Sequence, residues 1–219
     1  MKDKEGGGIV LIYDIMDGVR ERPALYMGSK SITVLQNFLF GAVYTSHILG
    51  IDDGYDEFSP IPFRFFNDYV AHFYDYFEST SGWMNIILNK NNNNEEASFD
   101  IFYMLLDMFR SINISKIQKC ILTQEQIIYC NKNECGPFYV LPPDSTKNKR
   151  VLFDPKAVYL IELSDNTGFL WMIELQGKSY FCNSLFKKRM SAIESFHCYF
   201  GGSFQWYAVK KMPCSLERI

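Results

Sequence analysis

The sequence predicts an α+β fold: a mainly helical half over residues 1–115, then an α+β half over residues 116–219 with a β-hairpin and a late helix, the two packed as one compact unit. Two observations predict it. Apolar residues recur at helical spacing through the first half. Two strand-like runs separated by a short turn signal stand in the second half. The charge balance also changes sign between them: residues 1–115 carry 8 Lys+Arg against 16 Asp+Glu, a net of −8, and residues 116–219 carry 14 against 9, a net of +5, which together make the chain's −3. Such a split bears on partners and association rates rather than on fold.

The first half begins with a short helix over Ile9–Val19, which the Arg22-Pro23 step ends because a residue before proline is pushed out of helical geometry. Ser31 then caps a second helix with Ile32, Leu35, Phe38, Leu39, Ala42 and Val43 on one face, and Gly50 closes it. The acidic stretch IDDGYDEFSPIP reads as a loop. Phe66, Tyr69, Val70, Phe73 and Phe77 repeat at helical spacing, so a third helix is expected over Phe65–Phe77. SGWMNIILNK adds one to two turns around Trp83, and the asparagine run Asn91–Asn94 is a solvated loop whose last members can cap the clearest helix of the chain. That helix has Glu95 and Glu96 in its first turn, where the helix dipole favours anions, and Phe99, Phe102, Leu106, Phe109 and Ile112 on one stripe.

The second half is more mixed. CGPFYVLPPDSTKN is a proline-bearing loop, and KAVYLIEL, DNTG and FLWMIEL make a β-hairpin. Ser184–Phe200 alternates basic and apolar groups like an exposed helix ended by Gly201 and Gly202, and FQWYAV forms a last strand.

At 219 residues with 47% hydrophobic, 16% aromatic and 21% charged residues, the chain has enough apolar material for a core built on Phe and Tyr, which excludes a disordered protein. The longest apolar runs are broken by acids within a few residues, so neither a membrane span nor a secretory signal fits, and a cytoplasmic protein is expected. Six cysteines without a Cys-x-x-Cys pair suit reduced, mostly buried thiols, with no metal site.

The residues that could carry enzyme chemistry do not assemble into a pattern. His47, His72 and His197 stand in different segments, and none has a ligand partner at i+3 or i+4. No Gly-x-Ser-x-Gly elbow, phosphate-binding Gly-x-x-x-x-Gly-Lys loop or Gly-x-Gly-x-x-Gly turn is present. Cys198 beside His197 is no dyad, because neighbours in a helix point in different directions. No cofactor is expected, and the chain is read as non-enzymatic.

Gly18–Leu39, GVRERPALYMGSKSITVLQNFL, is the stretch closest to a nucleotide motif. GVRERPALYMG resembles the Val-Arg-x-Arg-Pro-x-Met-Tyr-Ile-Gly segment of DNA gyrase B subunits and their ATPase relatives, where the matching residues border the ATP pocket. Two departures stand against that activity. The resemblance implies a Glu and an Asn in the next helix, yet no acid stands from Ser31 to Gly50 and Asn37 comes too early. IDDGYDE has Asp56 where the adenine-binding motif has its second glycine. Phosphoryl chemistry would lack its base and its metal ligand. The stretch reads instead as a joint that seats a helix, with Leu25, Tyr26 and Met27 plugging the core and Arg20 and Arg22 unexplained. A degenerate nucleotide- or small-molecule-binding domain using the Arg22–Ser29 loop is the alternative.

A second resemblance covers about residues 15–110. RPALYMG, SITVLQNFLFG, FNDYV, SGWMNIIL and EEASFDIFYMLLDMF follow one another as in small bacterial proteins similar to the immunity proteins of polymorphic and contact-dependent growth inhibition toxin systems. The shared residues are helix-packing ones, with Leu25 where the pattern has Met. This resemblance implies a protein that binds and blocks a cognate toxin, a nuclease-type effector, by stoichiometric occlusion; it transfers no catalytic residue and no role for the C-terminal half.

The physics of inhibition points to one segment. A carboxylate patch imitates the phosphates that a nuclease cleft holds and steers a basic enzyme into contact. Asp52, Asp53, Asp56 and Glu57, with Tyr55 and Phe58 interleaved, supply that mix and are the expected partner-binding residues; the competing reading is a solvated loop. The basic runs Lys147–Arg150 and Lys187–Arg189 read as solvated faces, so nucleic acid and membrane are not expected partners.

Overall fold

A computed structural model describes residues 12–49, 61–76, 81–132, 157–175, 178–182 and 184–210. The fold is α+β, and the chain divides into two compact units, Met1–Ser111 and Ile112–Ile219. Among the described residues no helix is long and apolar enough to cross a membrane.

The first unit contains α1 (Ile12–Glu21), α2 (Pro23–Met27), α3 (Ile32–Leu49), a short 3-10 turn (Phe63–Phe65) running into α4 (Phe66–Phe73), α5 (Gly82–Lys90) and α6 (Glu95–Arg110). Its core is aromatic. The fully buried Phe66 ring meets Phe102 and Phe109 edge-on, each at 5.4 Å between centroids, meets Trp83 edge-on at 6.0 Å, and stacks on Phe63 at 5.3 Å. Edge-to-face pairs of this kind contribute about 0.5–1.5 kcal/mol each beyond the area they bury. The expected stripe of α6 supplies one side of the cluster, because Phe99, Phe102, Leu106 and Phe109 are all buried.

The expected caps are in place. Asn94 accepts a hydrogen bond on Oδ1 from the Ala97 N–H at 3.0 Å, which starts α6, and Ser31 accepts one on Oγ from the Val34 N–H at 3.2 Å, which starts α3. Glu95 does more than complement the dipole of its own helix. Its carboxylate reaches α3 and accepts from Ser31 Oγ at 2.8 Å, Thr33 Oγ1 at 2.6 Å and the Thr33 N–H at 3.1 Å. One carboxylate therefore caps a second helix and ties α6 to it.

Two expectations for this unit change. α4 stops at Phe73, since Asp75 takes a left-handed φ of +50°, and Phe73 is 44% exposed rather than in the core stripe; Phe77 lies outside the described residues. The helix expected over Ile9–Val19 is described from Ile12 and runs on to Glu21.

The second unit contains β1 (Ile114–Ile121), α7 (Gln124–Lys132), β2 (Ala157–Leu163), β3 (Phe169–Leu175), β4 (Lys178–Phe181), α8 (Arg189–Phe200) and β5 (Tyr207–Val209). The strands form one antiparallel sheet in the order β4-β3-β2-β1-β5. The predicted hairpin is β2–β3, with Leu160 opposite Trp171. Asp165 and Asn166 adopt φ of +55° and +56° in its turn, a conformation that Asn and Asp tolerate better than other side chains. α8 packs on β3 through Trp171, whose ring lies 5.9 Å from Phe196 and 5.6 Å from Tyr199.

The late helix departs from expectation at both its start and its surface. It begins at Arg189 rather than Ser184, because Phe186 pairs with Phe169 through reciprocal backbone hydrogen bonds of 2.8 and 2.9 Å that hold the chain extended. It is also not an exposed helix, since Ala192, Phe196 and Phe200 are buried.

Two predictions follow from these contacts. Burial raises the Glu95 carboxyl, but the hydrogen bonds from Thr33, Ser31 and the Ile32 backbone outweigh it and hold the group below its ordinary 4.5. Stability linked to Glu95 is then fully present above pH 4.5 and lost as the pH falls through the lower folded value. Glu95→Gln is expected to cost about 1–2 kcal/mol at pH 7, and urea titrations across pH should show wild type and variant converging in acid. Gly168 has φ +143°, and a Cβ there would sit 2.5 Å from the Phe186 backbone oxygen. Gly168→Ala should cost on the order of 2–4 kcal/mol in chemical denaturation, because backbone rather than a flexible side chain would have to move.

Candidate functional site

The residues around Pro23 set the most distinctive local geometry of the first unit. Pro23 occupies the first position of α2, where its missing N–H costs nothing, and Gly28 ends that helix at φ +78° with its N–H on the Ala24 carbonyl at 3.1 Å. Proline and left-handed glycine confine α2 to five residues. No side chain of α2 is buried: Leu25 is 70% exposed and Tyr26 47%. The expected core plug of Leu25, Tyr26 and Met27 is thereby overturned. So short a helix has few positions to turn inward, and the chain on either side of it is already tied down.

Those ties run mainly to α6. Before α2, Arg20 binds Asp107 through two parallel hydrogen bonds of 2.8 Å, and its guanidinium lies 5.2 Å from the Tyr103 ring centroid. After α2, Lys30 Nζ lies 3.1 Å from Asp100, and Ser31 and Thr33 hold Glu95. Asp100 and Asp107 are seven residues apart, roughly 10 Å along a helix. α2 therefore bridges two fixed points on one helix, and the half-exposed Met104 lies midway between them.

The brace is doubled on α1. Asp17 and Arg20 answer Arg110 and Asp107 in an antiparallel exchange, with Arg110 Nη1 at 2.7 Å from Asp17 Oδ1 and the Arg110 guanidinium 5.1 Å from the Tyr13 ring. The Tyr103 hydroxyl also donates to the Met16 carbonyl at 2.8 Å, and burial pushes its pKa up so that it stays protonated. Single surface ion pairs contribute little, about 0–1 kcal/mol each. A two-bond Arg20 fork and a single Arg110–Asp17 bond, each guanidinium lying over an aromatic ring, nevertheless fix the orientation of α1 and so the point from which α2 departs.

Tyr26 is fixed as well. Its ring meets Phe38 edge-on at 6.1 Å, and its hydroxyl oxygen sits 3.3 Å from where a Cβ on Gly18 would be, so the Tyr26 ring packs closely over the glycine. The result is an exposed apolar knob of Leu25 and Tyr26, flanked in the chain by the Arg20–Asp107 and Lys30–Asp100 pairs. Arg22 is exposed at its base and has no side-chain partner among the described residues. An apolar centre with a charged rim is the anatomy of a protein interface.

α3 presents a second apolar surface. Ile32, Leu35 and Leu39 are buried, yet the opposite side exposes Phe40 at 71%, Tyr44 at 59% and Ile48 at 65%. The Phe40 and Tyr44 rings stack at 6.4 Å with 13° between planes. No Lys, Arg, Asp or Glu occurs from Ser31 to Leu49.

The expected partner-binding residues Asp52, Asp53, Tyr55, Asp56, Glu57 and Phe58 lie outside the described residues, as does the side chain of His47. Of the other histidines, His72 lies in the last turn of α4, and His197 lies edge-on to Phe204 in the second unit. Of the described cysteines, Cys120, Cys130 and Cys182 are buried and Cys198 is exposed. Among the described residues no group of three or more His, Cys, Asp or Glu is arranged to hold a metal ion. Compared with protein-family models, curated proteins and solved structures, the chain matches none.

The braces make a measurable claim about local order. Asp107→Asn should lower global stability by less than about 1 kcal/mol while speeding hydrogen exchange at the Leu25, Tyr26 and Gly28 amides, which bond only within the Arg22–Gly28 turn. Unchanged exchange at these three amides would show that the ion pair does not order the knob.

Proposed function

We propose that the protein is an immunity protein that binds and blocks a cognate bacterial toxin, a nuclease-type effector, by stoichiometric occlusion. The observation that carries this reading is the outward-facing knob of Leu25 and Tyr26 on a helix with no buried side chain, braced on either side by ion pairs to α6. A protein that acts only by occupying its partner needs no reacting groups. It needs a preorganised apolar anchor, because ordering a loop on binding would subtract from affinity.

Charge supplies the second half of the argument. Residues 1–115 carry a net of −8, from 8 basic and 16 acidic residues, and Asp52, Asp53, Asp56 and Glu57 lie in that half. A nuclease presents a basic cleft, so this field favours encounter, whereas the knob holds the complex once formed. The two contributions separate kinetically: charge acts chiefly on association and the apolar anchor on dissociation.

Co-expression with the toxin encoded beside this gene, scored by growth, tests the reading. Wild type should rescue growth. Leu25→Asp should abolish rescue and speed dissociation of the purified complex at least tenfold, with no loss of thermal stability because the side chain is exposed. Reversing Asp52, Asp53, Asp56 and Glu57 to Lys should slow association and flatten its salt dependence. Full rescue by Leu25→Asp would remove the knob from the interface, and no rescue by wild type would remove the function.

A further inference from the structure

We infer that α3 is a self-association surface, on which a second copy of this chain docks in an antiparallel, two-fold arrangement centred on Gly41. The inference is independent of the toxin reading and concerns a different set of side chains.

Spacing comes first. Val34, Asn37, Gly41, Tyr44 and Ile48 are all exposed and follow one another at intervals of three, four, three and four residues. That is the alternation with which one helix presents a continuous seam to another over two heptads. The seam spans roughly 20 Å along the axis.

Its chemistry suits a copy of itself. A two-fold interface is isologous, so every group on the patch must be compatible with the same patch turned around. A charge on such a face tends to meet its like near the axis, and α3 has no Lys, Arg, Asp or Glu. The rest of the first half is strongly acidic, so two copies repel elsewhere and can approach with least opposition along α3.

Size then selects the direction. With Gly41 on the axis, Val34 lies opposite the partner's Ile48, seven residues to either side, and Asn37 opposite the partner's Thr45, four to either side, which sets small against large and an amide against a hydroxyl. A parallel pair would instead stack the bulky Tyr44 against the partner's Tyr44. Gly41 permits the backbones to come close at the crossing: among the described residues a Cβ there would have nothing within 4 Å, so none of them requires a glycine at this point. The stacked Phe40 and Tyr44 form the ridge that flanks the gap.

The expected dimer is weak. Aromatic side chains bury roughly 150–250 Å² each, so Phe40 and Tyr44 supply most of a contact that falls short of the ~800 Å² per partner of a stable complex. Sedimentation equilibrium of the full chain, from low micromolar to several hundred micromolar, tests it. The mass should rise with concentration from 25.5 kDa towards twice that value, and more readily at high salt, because screening relieves the acidic repulsion.

Gly41→Lys places a charge on the axis, and its Cβ meets no atom of the described residues within 4 Å. It should remain monomeric over the whole range, with unchanged circular dichroism and no fall in Tm. Ile48→Lys at the far end of the seam should weaken association in the same direction, and Met190→Lys, an exposed position in the other unit, should leave it unchanged. A wild-type chain that stays at 25.5 kDa throughout, or a Gly41→Lys variant that associates like wild type, overturns the inference. Loss of toxin binding would not alter either result, so the two readings fail separately.

Discussion

The helical unit depends on one helix, α6, which buries an aromatic face and ties three neighbouring segments with its charged residues. α6 buries Phe99, Phe102, Leu106 and Phe109, and Phe102 and Phe109 meet the Phe66 ring edge-on. Burial alone does not orient the neighbouring helices, because it is non-directional. Direction comes from the charged residues of α6. Glu95 holds the start of α3, Asp100 holds Lys30, and Asp107 and Arg110 hold α1. Each attachment is modest by itself, and together they leave α1, α2 and α3 one mutual arrangement. The exposed knob is a consequence, since α2 is the length of chain left between attachments.

The sheet unit follows a different logic. β2 is buried along nearly its whole length, with only Glu162 part-exposed, so both of its faces are covered and pairing with β1 and β3 is strongly specified. Gln126 then joins the helices. Its side chain and Thr123 form a reciprocal cap at the start of α7, with bonds of 2.9 and 3.3 Å, while its amide nitrogen donates to the Gly201 and Ser203 carbonyls just after α8. A single buried polar side chain thus serves as cap and as tie.

What the sequence made legible divides along the same physical line. Elements with a local cause were readable: the Asn94 and Ser31 caps, the α6 stripe and the β2–β3 hairpin all announce themselves in a few adjacent residues. β1 was not, because ISKIQKCI places Ile114, Ile117 and Cys120 at intervals of three, which resembles a helix, and only pairing with β2 and β5 makes it a strand. α7 was missed although Thr123-x-x-Gln126 is a capping box that could have found it. Phe186 determines where α8 begins through a bridge to Phe169, a non-local contact with no trace in the intervening sequence. Arg20 shows the limit most clearly for the candidate site. It looked like an unused guanidinium near a nucleotide-like loop, and its partner Asp107 lies 87 residues away. The one available signal was that Asp-x-x-Arg occurs on both α1 and α6, which antiparallel packing turns into two ion pairs.

The same division explains why α3 was readable as a helix but not as a surface. One apolar face is enough to seat a helix, and Ile32, Leu35 and Leu39 provide it. A solvated opposite face ordinarily carries charge, which costs nothing there and keeps the chain soluble. α3 instead keeps Phe40, Tyr44 and Ile48 exposed and places a glycine between them. Glycine inside a helix costs roughly 0.5–1 kcal/mol relative to alanine, and among the described residues no neighbouring atom within 4 Å offsets that cost. An uncharged face and an unrequired glycine are each slightly unfavourable for the isolated chain. Both become favourable when another helix backbone crosses at Gly41, and that shared condition ties the two oddities of α3 to one cause.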